Sequence, residues 1–383
     1  MKVVINATQF KQRSSGIGVM TYHLFGRFIE QTEHEVVVIL SKDSPEFPFD
    51  NGKTTIVRLP YDKGQSIKRN FFQSFIMGMK YCKNSVLLTT DAKIPFLLPK
   101  SCEVLPVITD LAVFRMGEVY KASRVMYWKM QYWFLKRKTE KYIAISEFTK
   151  WDLIDVLKIP EKKIDIVYCA CDERIKKETS QEDLKLVKEK YDLPDKYVLF
   201  VGNFNPRKNL ERTILAFDQM KNEAEVKNEI TDLSKYKFVI VGEHGWKFSK
   251  QEALQNIKHK DDIIFTDYVE DEDMPAMYTI ADAFIFPTLY EGFGIPIIES
   301  QRCETPVITS NLSAMPEVAG NGALFVNPEN VNEISKKMTE LLTDNDLAAS
   351  LVEKGIKNYK RFNWIESGKK VNDIINLQKQ KNK

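Results

Sequence analysis

No run of about eighteen apolar residues occurs, so nothing in the sequence reads as a membrane-spanning helix. Cysteine is sparse. The five residues (Cys82, Cys102, Cys169, Cys171, Cys303) are odd in number and scattered. Cys169 and Cys171 form a CxC, too tight for the usual zinc pairs and without a second pair. This usage excludes a disulfide framework and predicts a reduced, cytoplasmic protein. The first residues, MKVVINATQF, lack the basic-then-apolar layout of a signal peptide and read as a first strand. The four histidines (His23, His34, His244, His259) show no metal spacing, and each is expected to be structural or on the surface. There is no GxxxxGK[ST] loop and no GxGxxG after the first strand, which leaves kinase and ordinary dinucleotide-binding readings without support. Low-complexity tracts and internal repeats are also missing.

What is present fits a soluble globular protein of two domains: 383 residues, 43% apolar and 28% charged. The net charge of +3 is uneven. Residues 1–172 hold 26 Lys+Arg against 18 Asp+Glu, or +8, which leaves 30 against 35, or −5, for the remainder. A basic front half suits an anionic partner such as a phosphate, a lipid headgroup or nucleic acid, and suits a merely solvated surface equally well.

Short Val- and Ile-rich runs alternate with longer amphipathic stretches, the pattern of βαβ units and parallel sheets. The first half offers KVVIN, EVVVIL, TTIVRL, SVLLTT, EVLPVIT, YIAIS and IDIVY; the second offers YVLFVG, KFVIVG, DIIFTDYV, AFIFPT, PVITS and ALFVNP. Each set makes about one doubly wound sheet. The predicted organisation is a Rossmann-like domain over 1–172, a charged inter-domain connection over 173–195, and a second Rossmann-like domain over 196–360. A C-terminal helix over 361–383 has the option of packing back on the first domain. Two such domains facing each other would place the carboxyl ends of both sheets around one cleft, where ligands of these sheets bind.

Two stretches of the second half carry chemistry. In YVLFVGNFNPRKNLERTILAF a strand ends at Gly202 and a loop bearing Arg207 and Lys208 enters a helix. Arginine offers phosphate a planar fork and lysine a mobile point charge. Cations beside a helix start are unfavourable unless an anion is there, so phosphate binding is the sharper reading than a solvated basic pair. In LYEGFGIPIIES, Gly292 and Gly294 let backbone approach a ligand, and Pro296 suits the first turn of a helix over roughly 296–303. The amides around Phe293, Gly294 and Ile295 would then form an anion site at a helix N-terminus. Glu291 precedes that helix and Glu299 lies one turn into it, so they do not pair on one face. Carboxylates flanking a phosphate site suit sugar hydroxyls on either side better than a metal.

The run ADAFIFPTLYEGFGIPIIESQRCETPVITSNLSAMPEVAGNGALFVNP, with its E-x7-E element at Glu291 and Glu299, resembles the C-terminal signature of retaining GT-B glycosyltransferases of family 4. NPRKN (205–209) and DYVEDEDMPAMYTIAD (267–282) are similar to the family's basic loop and pre-signature segment, and RSSGIGVMTYHL (13–24) to its glycine-bearing first loop. The resemblance covers most of residues 197–330. It implies the GT-B fold, an α/β architecture of two Rossmann-like domains, with acceptor binding in the first and donor binding in the second. It also implies transfer of a hexose from a nucleotide diphosphate sugar, with retention, to a glycan or a lipid-linked saccharide. By the same resemblance Arg207 and Lys208 hold the diphosphate, Glu299 the ribose and Glu291 the transferred sugar. Backbone over Gly292–Ile295 would meet sugar hydroxyls and phosphate, Gly16 and Gly18 would close on the diphosphate, and Val269 would lie near the base. No metal and no cofactor is implied. GDP-mannose is the leading donor candidate, and no nucleic-acid partner is expected.

One position departs from the family pattern. VITDLAVF carries Thr109-Asp110 where the family often has His-Asp, which puts the sugar and the efficiency in question. Asp110 is a candidate for orienting a hydroxyl, or simply caps the following turn. Ser146 reads as a helix cap. The Asp271-Glu272-Asp273 triplet resembles a DxD metal motif but is expected to cap a helix. The stretch 119–142 sets Val119, Met126, Met130 and Trp133 at helical spacing among basic residues. It is read first as core, with peripheral contact to the cytoplasmic face of an anionic membrane as the second option. Three alternatives to transfer stay open: a GT-B sugar-nucleotide epimerase, a phosphorylase, and a non-catalytic nucleotide-sugar-binding module.

Overall fold

A computed structural model of the chain describes every residue except 9, 11–15, 62–65, 91, 227–231, 243–247 and 382–383. The chain divides into two units, residues 1–169 with 362–383, and residues 170–361.

In the first unit the strands are β1 (Lys2–Asn6), β2 (Glu35–Leu40), β3 (Thr54–Arg58), β4 (Ser85–Thr90), β5 (Cys102–Ile108), β6 (Tyr142–Ala144) and β7 (Ile164–Ile166). Among the described residues they form one seven-stranded sheet in the order β3-β2-β1-β4-β5-β6-β7, every neighbouring pair parallel. Strands covered on both faces need no polar alternation, which is why KVVIN and SVLLTT read as near-continuous apolar runs. Val3, Val4 and Ile5 of β1 are wholly buried, and Val4 sits in register with Val37 of β2 and Leu87 of β4. Only β3, at the edge, shows mostly exposed positions.

The helix Trp364–Lys381 belongs to this unit and lies on the helix Gly16–Gln31. Thr32 Oγ1 donates to Asn372 Oδ1 (2.9 Å) and Gln31 Nε2 to the Ile365 carbonyl (3.0 Å). Trp364 stacks on His23 with 5.5 Å between ring centroids, while Val371 and Ile375 are fully buried.

The helix Ala122–Lys138 corrects the core reading of 119–142. Its inward residues are Gln131, Tyr132 and Leu135. Met126, Met130 and Trp133 face the other way and stay exposed, Met126 at 68% and Trp133 at 51%. The helical spacing was real, but it marks the outer face. Positions 131 and 135 form the opposite, packed stripe.

The second unit repeats the plan with β8 (Tyr197–Val201), β9 (Lys237–Val241), β10 (Ile263–Asp267), β11 (Ala283–Phe286), β12 (Val307–Ser310) and β13 (Ala323–Val326). Among the described residues these give a six-stranded parallel sheet in the order β10-β9-β8-β11-β12-β13. Residues 173–195 fall inside this unit instead of linking two domains. Their helix, Gln181–Lys190, is capped by Ser180 and packs on the helix Met274–Ile280. Glu178 N donates to Thr279 Oγ1 (3.0 Å), and Tyr191 Oη donates to Asp273 Oδ2 (2.7 Å). The stretch is charged because one face of a surface helix is wet. Among the described residues three helices, Val331–Thr343, Asn345–Tyr359 and Trp364–Lys381, follow β13.

Candidate active site

The second sheet reverses its strand order between β8 and β11, which pair through Val198↔Ala283 and Leu199↔Phe284. In open α/β sheets the crevice outside the carboxyl ends at such a point is the binding position. Both candidate loops start there, one at Gly202 after β8 and the other at Pro287 after β11.

The first loop turns through a short 3-10 helix, Pro206–Lys208, closed by Asn209 in the left-handed region (φ 61°). A short polar side chain is among the few that accept this conformation. Asn209 is buried, and its Nδ2 donates to the carbonyls of Pro287 (2.9 Å) and Pro328 (2.6 Å). In return, Leu289 N and Thr288 Oγ1 both donate to the Arg207 carbonyl at 2.8 Å. The two loops are thus laced together by main-chain groups. The basic pair is set by the fold and not left to solvent.

Its side chains converge on Glu291. Lys208 Nζ lies 2.7 Å and Arg207 Nη1 3.3 Å from Glu291 Oε1. Lys208 Nζ also sits 4.5 Å from the ring centroid of Phe286, a cation–π contact. Burial alone would raise the Glu291 pKa, but Arg207 and then Lys208 outweigh it and hold the carboxyl below its ordinary range. Two cations against one carboxylate leave the cluster with a net positive charge.

The second loop continues through Gly292 and Phe293, both buried, to Gly294, which caps the helix Ile295–Arg302. Gly294 has φ 100°, a backbone conformation that calls for glycine, and the Met315 side-chain end packs where a Cβ would sit. Pro296 falls in the first turn, as read from the sequence. Behind Glu291, its N–H donates to Ser313 Oγ (3.2 Å) and its carbonyl accepts from Ala314 N (3.3 Å).

Glu299 is electrostatically the opposite of Glu291. Burial pushes its pKa up to about 7, Asp172 and Asp271 add to the rise, and only the 2.9 Å hydrogen bond from Tyr278 Oη opposes it. Near neutral pH one glutamate is ionised and paired while the other is half titrated. Gly202 closes the β8 end, its N–H donating to the Val241 carbonyl (2.9 Å), beside the Lys208 side chain.

The remaining sequence candidates lie on other elements. Val269 is buried after β10, two strands along the sheet from β8. Gly16 and Gly18 belong to the first unit, at the start of the helix Gly16–Gln31; positions 13–15 of their motif lie outside the described residues. Asp110, also in the first unit, follows β5 and accepts a hydrogen bond from Ala112 N (2.9 Å), as a turn-capping aspartate does. Thr109 beside it is buried. Ser146 caps the helix Glu147–Asp155, accepting from Thr149 N at 2.9 Å. The capping expectation for Asp271-Glu272-Asp273 needs correction. Asp273 opens the helix Met274–Ile280 without a side-chain cap, because its carboxylate is taken by Tyr191 and Lys190 (2.6 Å). His259 is structural, held between Asp218 and Glu225 at 2.9 Å each; His244 lies outside the described residues. Asn209, Thr288, Ser313 and Tyr278 were not singled out from sequence. Only Asn209 carried a signal, as the last residue of NPRKN.

Comparison with known proteins now bears on this cluster. Residues 181–358 match the family described as Glycosyl transferases group 1. The matched segment contains every site residue of the second unit named above. Among curated relatives, the O-antigen chain mannosyltransferase B of Escherichia coli is 27% identical over 70% of this chain and 69% of its own. The serotype-specific mannosyltransferase WbdA, also of Escherichia coli, is 29% identical over 59% of this chain, and the match spans only 27% of its length. Two solved structures align over nearly the whole chain. The sucrose-phosphate synthase of Thermosynechococcus elongatus has a TM-score of 0.74 at 16% identity, covering 99% of both chains. Anabaena HepE, in complex with UDP and glucose, has a TM-score of 0.72 at 13% identity, covering 98% of this chain and 99% of its own. These likenesses give the fold: two Rossmann-like parallel-sheet domains of the GT-B type. The group 1 domain and the mannosyltransferase relatives support a glycosyltransferase.

Proposed function

We propose that the chain is a retaining hexosyltransferase of glycosyltransferase family 4, moving mannose from GDP-mannose to a glycan or lipid-linked saccharide without a metal. The observation that carries this reading is the convergence of Arg207 and Lys208 on Glu291 at the switch point of the second sheet, within the group 1 domain. A diphosphate arriving there takes over both cations, and Glu291 is then released to accept hydroxyl donors of the transferred sugar. As the glycosidic bond breaks, negative charge builds on the departing diphosphate. Arg207 and Lys208, already placed by the main-chain lacing, meet it without reorganisation. Glu299 takes the ribose hydroxyls, and the Gly292–Ile295 backbone approaches sugar and phosphate. Asp110, with Gly16 and Gly18, serves from the first unit. Attack on the face from which the diphosphate leaves gives retention and requires no protein nucleophile. The mannosyltransferase relatives support mannose, and the neighbour holding UDP and glucose supports a nucleotide-sugar donor. The proposal includes a cytoplasmic location with peripheral membrane contact. No helix among the described residues is long and apolar enough to cross a membrane.

A thermal-shift screen of GDP-, UDP- and dTDP-sugars tests the donor, since a ligand at a hundred times its Kd stabilises the fold by about 2.7 kcal/mol. GDP-mannose is expected to give the largest rise and to be consumed only when a mannose-containing acceptor is added. Consumption without acceptor would favour an epimerase, and consumption that requires inorganic phosphate a phosphorylase. Binding with no turnover across an acceptor panel would overturn the enzyme reading.

A further inference from the structure

The turn after β12 holds a backbone conformation that its residue does not favour. Ser313 has φ 55°, in the left-handed region. Among the described residues, Asn84, Asp192, Asn209 and Asp267 share that region, and their short polar side chains accept it. Three others lack that excuse: Lys158, Glu304 and Ser313. Lys158 and Glu304 are exposed and form ion pairs with Asp155 and Lys177, whereas Ser313 is joined to Glu291. Strain of this kind persists only where its surroundings impose it, and it gathers at functional sites.

The surroundings are well defined. Upstream, Asn311 N donates to the Val326 carbonyl (2.9 Å), which ties the turn to β13. Downstream, Met315 N donates to the Leu312 carbonyl (3.2 Å) and Val318 N to the Ala314 carbonyl (3.0 Å), where the helix Met315–Ala319 begins. Held at both ends, the turn grips one residue of the facing loop at two points. Ser313 Oγ accepts from Glu291 N (3.2 Å), and Ala314 N donates to the Glu291 carbonyl (3.3 Å). Returning the φ of Ser313 to the negative range would turn Ala314 N relative to the preceding chain and undo this grip. One residue on, the end of Met315 packs where a Cβ on Gly294 would sit. The turn therefore backs the loop at both Glu291 and Gly294. From the other side Lys208 and Arg207 attract the Glu291 carboxylate, so a main chain fixed from behind keeps that carboxylate in one place.

We infer that Ser313 is a positioning residue for the proposed transfer: it takes a strained backbone so that its hydroxyl and the next amide together fix Glu291. The inference rests on the transferase reading, in which Glu291 holds the transferred sugar and Ser313 acts through it. A misplacement of about 1 Å can cost ~10²-fold in rate, so losing half the grip should show in turnover before it shows in folding.

Three variants of the full chain separate strain, grip and fold. Ser313→Gly relaxes the backbone and removes the hydroxyl, and Ser313→Ala removes the hydroxyl but keeps the strain. Ser313→Asn suits the left-handed region and returns an oxygen acceptor. With GDP-mannose and a mannose-containing acceptor, kcat should fall about tenfold in the first two, with donor KM within about threefold of the parent. The KM should hold because Arg207 and Lys208 are placed by other contacts. Ser313→Asn should recover most of the turnover, and the Tm of Ser313→Gly should equal or exceed that of Ser313→Ala. Turnover within about twofold of the parent in the first two variants, or an equal loss in Ser313→Asn, overturns the inference. Failure of the parent to transfer from any nucleotide sugar counts against the proposed function instead. Crystal structures of the parent and Ser313→Gly then decide: the 2.7 Å separation of Lys208 Nζ and Glu291 Oε1 should lengthen in the variant, and its retention overturns the inference.

Discussion

The two switch points are built by one topological rule and filled with different chemistry. Between β1 and β4 the walls are amides, aromatic rings and basic side chains, around a buried glutamine whose Oε1 has no hydrogen-bond partner among the described residues. Between β8 and β11 they are two cations closed onto a buried carboxylate, held by hydrogen bonds from side chains and main chain to the carbonyls of the facing loop. The first suits a ligand with many hydroxyls, the second a ligand of concentrated charge. Topology sets where a ligand is received. The side chains at the carboxyl ends of two central strands set which one.

The sharpest way to break this contrast is at Lys208. Lys208→Ala removes one of two charges that would meet a departing diphosphate, and a loss of 10²–10³-fold in turnover is expected. Measured donor affinity should fall with it. Turnover within a few-fold of the parent would remove the second switch point from the chemistry.

Asn209→Ala should act next most strongly and through position alone. It forfeits two buried hydrogen bonds, each worth about 1 kcal/mol, and puts alanine in a left-handed conformation. Chemical denaturation should show a loss of about 2–3 kcal/mol, and turnover should drop more than donor affinity. Asn209→Gly, which accepts the conformation but not the bonds, should recover part of the stability. If it recovers none, the backbone argument is wrong.

The smallest effect should come from pH. The folded pKa of Glu299 is about 7, above the ordinary carboxylate value, so the folded state retains a proton that the unfolded chain has released. The associated stability is full below the ordinary carboxylate pKa and is lost as pH rises through about 7. Ionised Glu299 is also the better acceptor for ribose hydroxyls, so nucleotide-sugar affinity should rise a few-fold over the same interval. Glu299→Gln should flatten both profiles between pH 5 and 8, as read by thermal shift and titration.

All thirteen apolar runs picked out in the sequence became strands, because parallel strands covered on both faces favour β-branched continuity, and the mostly exposed edge strand β3 keeps the same pattern. The site was legible where one residue type has one use, as in Gly294 and the Arg207-Lys208 pair. It was not legible where a side chain acts through distant main chain. Nothing local announces that Asn209 reaches Pro328, that Tyr278 holds Glu299, or that Glu291 is the counter-ion of Lys208. The stretch 119–142 failed differently: helical spacing shows that a face exists, not which way it turns. In 173–195 the expected helix is there, Gln181–Lys190, but the charged composition did not show that it packs within the second unit through its buried Val187.

The helix Trp364–Lys381 has a consequence for biosynthesis. It covers the helix Gly16–Gln31, yet the ribosome makes the whole second unit between the two. Residues 170–361 can close their sheet as soon as they emerge. The earlier residues of the first unit must wait with an apolar face uncovered until the helix Trp364–Lys381 arrives, so the unit begun before the second is completed after it. A nascent chain stalled before Trp364 would carry a folded second unit and an incomplete first one, and it is the first that would need a chaperone.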